Sequence, residues 1–553
     1  MEKKIFIIFF FVLLLALPFI NKAAHIDDVA FLYVARQIVK DPFEPYSFNL
    51  EWSSYSGLAA HITTDPPLVP YYTAIIIYFF GETEWILHLF YIIFPLLAGI
   101  SMFYISKKFS SKPLFAALFL IASVAFVVNS NNLMFDVPFL AFFLLSVTFF
   151  VYGTDSDNNY LIFLGAFFCG LAYLIKYSGL IILPILVVYS LTRKKFKPIL
   201  YLMAPLLIIL LWNLYTFAIY GVPHNIQILK WLFQSQQPFT PRSTIVRLIT
   251  NFTYIGGATL FPLMLLYPFI IDRKNKLAYI VITVFASVLS VALYFISAKF
   301  VYRYTIFQLV LFAFFLSTGM FFLFVLARYY HKPLLNLIKY KNFPENKKSA
   351  NNIFLFSWFL IVFLYNSTLA GGAVRYVTAL IPPMTMMYFN IVDDYRFLKQ
   401  KYLKNFVFLG FLLTFVLSIF VAYADYEFAS TYKSFAEVAK QYETPDNTIW
   451  YSGHLGFQYY MDKKGYTILK LNDNSPEKGD IVIKARLPSP RKFSPLLKER
   501  LALLDVKGYK GNLILKVHNP KARAGFYTYG GGFLPYSFSG SNLEDFEVYE
   551  VVK

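Results

Sequence analysis

The chain has 553 residues, of which 58% are hydrophobic and 15% charged, and its formal net charge is +19. A soluble protein carries roughly a quarter charged residues, so this composition excludes a purely soluble fold. The basic excess sits in short clusters between apolar runs, not in a long patch interleaved with aromatics, which argues for cytoplasmic loops and against nucleic-acid binding.

Lys3 and Lys4 precede the first apolar run and place the N-terminus in the cytoplasm. That run (5–20), with Ala23-Ala24 beyond it, has the look of a signal peptide. The charged stretch His25-Ile26-Asp27-Asp28 that follows favours an uncleaved first span. Residues 21–84 then form a long outer loop. Within it, Asp28–Lys40 reads as a helix that Asp41-Pro42 ends, because proline disfavours helix in the residue before it.

Leu68–Phe80 follows Asp65-Pro66-Pro67 and is too short for an ordinary span. It predicts a helix lying at the membrane interface, with Tyr71, Tyr72 and Tyr78 in an aromatic belt. Spans then alternate at 85–106, 113–129, 137–153, 159–175, 178–192 and 198–219. A second outer loop (220–250) and six further spans follow, the last at 405–423. Every large basic cluster falls inside, among them Lys107-Lys108, Arg193-Lys194-Lys195, Asp272-Arg273-Lys274, Arg328–Lys348 and Arg396–Lys404. The total is about thirteen spans.

Beyond Tyr423 the chain turns polar. Residues 425–553 predict a small α/β domain on the outer face. Strands are expected at Thr448–Ser452 and Asp480–Lys484, and helices at Thr431–Tyr442 and Leu455–Met461. Gly530-Gly531-Gly532 reads as a loop, and no G-x-G-x-x-G fingerprint occurs. Cys169, the single cysteine, lies in an apolar run and rules out an intrachain disulfide. The expected organisation is a polytopic α-helical membrane domain over 1–424 with an extracytoplasmic α/β domain over 425–553.

The outer ends of the spans gather Asp27, Asp28, His61, Asp65, Asp136, Lys176, His224, Arg303 and Arg375. Ionisable groups are costly near a bilayer and usually functional, so their concentration at one face suggests a polar cavity. Each also has a purely structural alternative. Asp27, Asp28 or Asp136 can cap the helix that follows. Lys176 can snorkel, and Arg303 and Arg375 can bind lipid headgroups. His61 and His224 read as ordinary loop histidines. Adjacent helical residues point about 100° apart, so only one of Asp27 and Asp28 can face the cavity squarely.

Six motifs in order resemble the C-type membrane glycosyltransferases of the protein O-mannosyltransferase superfamily, which includes the aminoarabinose lipid A transferases. Ile26-Asp27-Asp28, with Arg36 on the following helix, is similar to the first-loop acidic pair. Thr64-Asp65-Pro66-Pro67-Leu68 is similar to the Pro-Pro segment. Gly81-Glu82-Thr83-Glu84 with His88 matches the entry to the second span, and Leu133–Pro138 the second acidic motif. Gly170–Tyr177 surrounds the lysine, and Arg375-Tyr376 with Pro382-Pro383 is similar to the late motif. Asp65 is a departure, because the family often has a basic residue before the Pro-Pro pair.

The resemblance implies a C-type glycosyltransferase architecture. It also implies transfer of a sugar, with inversion, from a polyprenyl-phosphate donor to a lipid, glycan or protein hydroxyl. Asp27 would be the base. Asp28 and Asp136 would orient the acceptor or hold a divalent cation, Mg²⁺ or Mn²⁺. Arg375, Lys176 and Arg303 would bind the donor phosphate. Where it departs from the family, Asp65 is a candidate to bind a sugar hydroxyl of the substrate or a cation, and His61 is a further candidate for the substrate. A transporter or lipid-linked glycan flippase, an oligosaccharyltransferase-like enzyme or polymerase, and a simple membrane anchor are the alternatives. A transporter predicts internal repeats and charges near mid-membrane, neither of which the sequence has.

Overall fold

A computed structural model describes residues 2–52, 55–236, 240–259, 273–297, 302–340, 346–369, 372–394 and 400–553. Among them, seven helices are long and apolar enough to cross a membrane. They are Glu84–Phe109, Asp136–Ser156, Lys197–Tyr220, Lys276–Ser297, Ile306–His331, Lys347–Thr368 and Asn405–Tyr442. An eighth arises if Pro113–Ala122 and Val124–Ser130, bent by 62°, form one span.

Of the remaining expected spans, the eighth, which ends at Asp272, runs outside the described residues, and the other four are shorter. Glu2–Ala16, Asn159–Ile175, Ile182–Thr192 and Ile381–Asp394 have 15, 17, 11 and 14 residues. At about 1.5 Å rise per residue these fall short of a full crossing by themselves. Each adjoins a 3₁₀ turn: Leu17–Phe19, Tyr177–Ile181 or Val374–Leu380. Asp272, Lys299, Gly371 and Arg396, part of the expected charge alternation, lie outside the described residues.

Lys197–Tyr220 presents Leu206, Leu207, Leu210, Leu211 and Leu214 at 45–56% exposure. A contiguous apolar face of that kind suits lipid, and the protein is integral to a membrane.

The first connecting segment folds as the sequence predicts. A helix occupies Asp28–Lys40, and Asp41 leaves the helical conformation. Leu68–Phe80 is helical, and Gly81 ends it at φ +81°. Ile75, Tyr78 and Phe79 lie exposed on one side, while Val69 and Ile76 are buried on the other. That division matches a helix half-sunk in an interface.

The C-terminal region contains a five-stranded sheet, ordered Thr467–Ile468, Ile449–Ser452, Ile481–Ala485, Glu544–Val551, Leu501–Tyr509. The first three strands are parallel and the last two pairings antiparallel. Glu544, Phe546 and Val548 alternate inward, so one face is covered. The cover is the end of a 39-residue helix, Gln400–Val438, that begins among the apolar helices. The expected separate helix at Thr431–Tyr442 is its last turns plus a 3₁₀ turn. Phe435 stacks on Phe546 with ring centroids 3.7 Å apart.

The first loop docks on this region through charges. Glu82 accepts from Arg36 Nε and from the Tyr459 hydroxyl, both at 2.7 Å. Arg491 Nη2 donates to Glu51 at 2.7 Å. The membrane helices, the first loop and the sheet therefore share one packed body.

Truncating Phe546 removes the ring that joins sheet to helix. Phe546→Ala should cost about 3–5 kcal/mol. A lower Tm in detergent and earlier proteolysis of 440–553 than in the wild type would register that loss.

Candidate active site

The polar side chains that converge all stand where a helix begins, ends or breaks. Asp27 precedes Asp28–Lys40 yet makes no side-chain cap hydrogen bond. Its Oδ2 instead accepts from Arg375 Nη1 at 2.6 Å. The carboxylate is therefore directed at a distant cation, not at its own helix. The turn presenting it is strained, because Ile26 has φ +49°. A β-branched residue seldom enters that region, and such strain persists only where the surroundings impose it.

Asp28 faces away from Asp27, as the helical angle requires. It is 1% exposed. Its Oδ1 accepts from the Leu133 N–H at 3.0 Å and its Oδ2 from the His25 N–H at 3.2 Å. It ties the loop before Asp136 to the first loop. Asp136 opens its helix and accepts from Lys176 Nζ at 2.7 Å. Lys176 has an extended backbone (φ −144°, ψ 135°) between two helices, which takes its side chain off the helical column.

Arg375 lies in the 3₁₀ turn Val374–Leu380. The Tyr376 ring sits between the two cations, 5.1 Å from Lys176 Nζ and 5.3 Å from Arg375 Cζ. Lys176 and Arg375 are only 11% and 16% exposed. Neither is a snorkelling or headgroup-seeking side chain. With Asp136, Tyr365, Asn366 and Tyr376 they line a small cleft. Arg375 Nε is buried there without a hydrogen-bond partner among the described residues, a donor left over for a ligand.

Asp65 lies half-buried before Pro66-Pro67 and accepts from Thr64 Oγ1 at 3.1 Å. Burial pushes its carboxyl above the ordinary value, against the pull of Lys176 and Arg375. It therefore shares the field of both cations. His61 is exposed and paired with Gln227, and Arg303 is exposed beside Tyr304. Among the described residues, no contact joins either of them to the cluster. Exposed loop positions at a shared membrane face are not thereby neighbours.

A divalent cation on Asp28 and Asp136 does not fit the donor set. Among the described residues, no three His, Cys, Asp or Glu side chains converge. Asp28 is filled by two backbone N–H groups and Asp136 by Lys176.

One polar cluster was not foreseen from the sequence. Lys22 Nζ pairs with Asp425 and with Asn132 Oδ1. Asp425 Oδ1 lies 3.3 Å from His25 Nε2, and its Oδ2 accepts from the Tyr527 hydroxyl at 2.7 Å. Burial opposes a charge on His25, but Asp425 and Asp28 hold its pKa above the ordinary value. The signal available was that Lys22 and Asp425 close the first and last apolar runs. Tyr527 carried no signal.

Residues 64–219 match the dolichyl-phosphate-mannose-protein mannosyltransferase family. That stretch contains Asp65, Asp136 and Lys176. Two crystal structures of ArnT from Cupriavidus metallidurans are similar. The apo state shares 14% identity over 86% of this chain and 92% of that one, with a TM-score of 0.40. The form bound to undecaprenyl phosphate shares 14% identity over 88% of this chain and 93% of that one, with a TM-score of 0.41. No curated protein matches the chain.

His224 pins the first loop beneath the cleft. Its Nδ1 lies 2.6 Å from the Tyr177 hydroxyl and its Nε2 3.1 Å from the Thr63 carbonyl. A neutral ring satisfies both, accepting from Tyr177 and donating to Thr63. Burial lowers its pKa to about 4. The unfolded chain binds the proton near its ordinary 6.5 while the native state does not, so stability falls as pH drops from 6.5 towards 4. At pH 5 this group should cost about 2 kcal/mol. Tm measured between pH 7.5 and 5 should fall in the wild type and fall less steeply in His224→Gln.

Proposed function

We propose that the chain is a membrane glycosyltransferase. It moves a sugar from a polyprenyl-phosphate donor to a hydroxyl acceptor at the extracytoplasmic face. The observation that carries this reading is the cleft itself. Two partly buried cations, Arg375 and Lys176, line one polar cleft at the ends of apolar helices, and a carboxylate, Asp27, pairs with Arg375. The match of 64–219 to a family described by a dolichyl-phosphate-mannose donor supports the substrate class.

The chemistry required is a single displacement. The acceptor oxygen attacks the anomeric carbon and forms the new C–O bond. The bond from that carbon to the phosphate oxygen breaks, and polyprenyl phosphate leaves with the electron pair. Asp27 takes the proton from the acceptor hydroxyl. Attack from the side opposite the leaving group inverts the anomeric centre, as in single-displacement glycosidases.

Arg375 receives the phosphate through its unpartnered Nε and a second N–H, the bidentate geometry a guanidinium offers. Lys176 adds a point charge, held in place by Asp136. Asp65, near both cations, meets sugar hydroxyls. The interface helix Leu68–Phe80 offers an apolar side along which the polyprenyl chain lies.

The reading is tested with purified protein, tritiated polyprenyl-phosphate mannose, glucose and aminoarabinose, and membranes as acceptor. Label should move from at least one donor. Absence of transfer from any of them, with folded protein, would sink the proposal. Asp27→Asn should fold and lose about 10²–10⁴ in rate. Full activity in that variant removes Asp27 from the role of base. Arg375→Ala should raise the donor KM about tenfold or more, since it loses a charge-assisted contact. Unchanged donor affinity would reassign the phosphate.

A further inference from the structure

Asp27, Asp136 and Arg375 come from segments far apart in the chain, and their own helices do not fix their mutual geometry. One short loop of the C-terminal region touches all three segments. Tyr527 is 5% exposed. Its hydroxyl donates to Asp425 Oδ2 at 2.7 Å, accepts from Asn132 Nδ2 at 3.0 Å and lies 3.2 Å from His25 Nε2. It thereby meets both the segment leading into Asp27 and the loop leading into Asp136.

The neighbours of Tyr527 reach the third segment. The Phe526 carbonyl accepts from the Val374 N–H at 2.8 Å, and the Tyr529 N–H donates to the Gly372 carbonyl at 2.9 Å. These two bonds bracket the strand of chain just before Arg375. The loop has little slack of its own. Gly525 N–H bonds to the Leu534 carbonyl at 2.8 Å. A Cβ on Gly531 would stand 2.5 Å from the Ala524 carbonyl oxygen, so glycine is required for the backbones to approach.

We propose that Tyr527 is a positioning residue for the transfer reaction, and that the loop Phe526–Tyr529 holds the base and the phosphate-binding cation in register. The inference rests on the function proposed above. Tyr527 touches neither Asp27 nor Arg375. It acts through Asp425 and His25 on the strained turn at Ile26, and through its neighbours' backbone on Gly372 and Val374.

The C-terminal region is docked by many contacts besides the Tyr527 hydroxyl, among them the Phe435–Phe546 stack, the Tyr459–Glu82 bond and the Tyr254 hydroxyl on the Gly525 carbonyl at 3.0 Å. Asp425 retains Lys22 and His25 when the tyrosine hydroxyl is gone. Removing that hydroxyl therefore loosens the geometry without undocking the domain. A displacement of about 1 Å at reacting groups is worth up to about a hundredfold in rate.

The experiment compares Tyr527→Phe with Tyr536→Phe in the full-length protein. Tyr536 is a buried tyrosine of the same region whose hydroxyl donates to the Gly257 carbonyl at 3.0 Å, away from the cleft. Tyr527→Phe should lower kcat about tenfold or more with donor KM within about twofold. Tyr536→Phe should leave both unchanged. Hydrogen exchange on the ligand-free protein should show faster exchange at 24–30 and 372–378 in Tyr527→Phe alone.

Equal losses in the two variants, an unchanged kcat in Tyr527→Phe, or unchanged exchange at both segments would overturn the positioning role. If the wild type transfers no sugar, the functional reading fails, and the exchange comparison alone judges the loop. Should Tyr527→Phe fail to fold, Asn132→Ala removes one tie of the same hydroxyl. It should shift kcat and exchange in the same direction, and no shift in it overturns the proposal.

Discussion

The buried ion pair between Lys22 and Asp425 constrains the first loop against the far end of the chain. The two side chains are 1% and 0% exposed. A charge taken so far from water is tolerated only when paired, and removing one partner of such a pair typically costs about 3–5 kcal/mol. The end of the first apolar helix must therefore meet the long helix Gln400–Val438, across 403 residues of sequence. Once it does, the short segment from Lys22 to Asp28 has no freedom. His88 Nε2 meets the Lys22 carbonyl at 3.0 Å, and the Ala24 N–H donates to the Tyr460 hydroxyl at 2.9 Å. The left-handed turn at Ile26 is the consequence of closing this short bridge.

The same physical demand explains why the cleft lies at helix breaks. A side chain that must reach a shared polar space from an apolar bundle cannot do so from mid-helix without facing lipid or core. Extended residues at Ser123, Lys176 and Ala373 interrupt helical runs. Each break frees backbone groups that must be satisfied nearby, as Ser123 does by accepting from the Phe126 N–H at 3.4 Å. The 62° bend at Ser123 carries the chain toward Asn132 and Asp136. Polar chemistry and irregular backbone thus occur together, because each makes the other affordable in a low-dielectric setting.

Sequence reasoning reached the parts of this arrangement that local chemistry controls. Pro42 and the Pro66-Pro67 pair bound the helices Asp28–Lys40 and Leu68–Phe80 as expected. Charge at the ends of apolar runs singled out Asp27, Asp136, Lys176 and Arg375, which do meet. It could not separate these from His61 and Arg303, since a shared membrane face says nothing about lateral distance. Nor could apolar runs of 11 to 17 residues be told from full spans, because hydropathy carries no record of where a helix breaks. Tyr527 was illegible for a different reason. Among 43 tyrosines, it gains its role only from what the fold places beside it.

Charge balance in the cleft bears on how the proposed reaction is ordered. Asp27 and Asp136 each occupy one cation, and Asp65 adds a third carboxylate whose burial disfavours its charge. A phosphodiester brings one more negative charge to two cations that already have partners. Arg375 in a low-dielectric site always needs an anion, and the phosphate is the natural replacement for Asp27. The exchange that seats the donor is then the exchange that releases the Asp27 carboxylate to accept a proton. On the proposed function, the base becomes available only when a donor is present, so an acceptor hydroxyl or water entering an empty cleft meets a carboxylate still engaged with arginine. Donor before acceptor is the order that this geometry favours. On that same proposal Lys176, whose partner Asp136 opens its helix and is only 4% exposed, serves as the fixed charge beside Arg375.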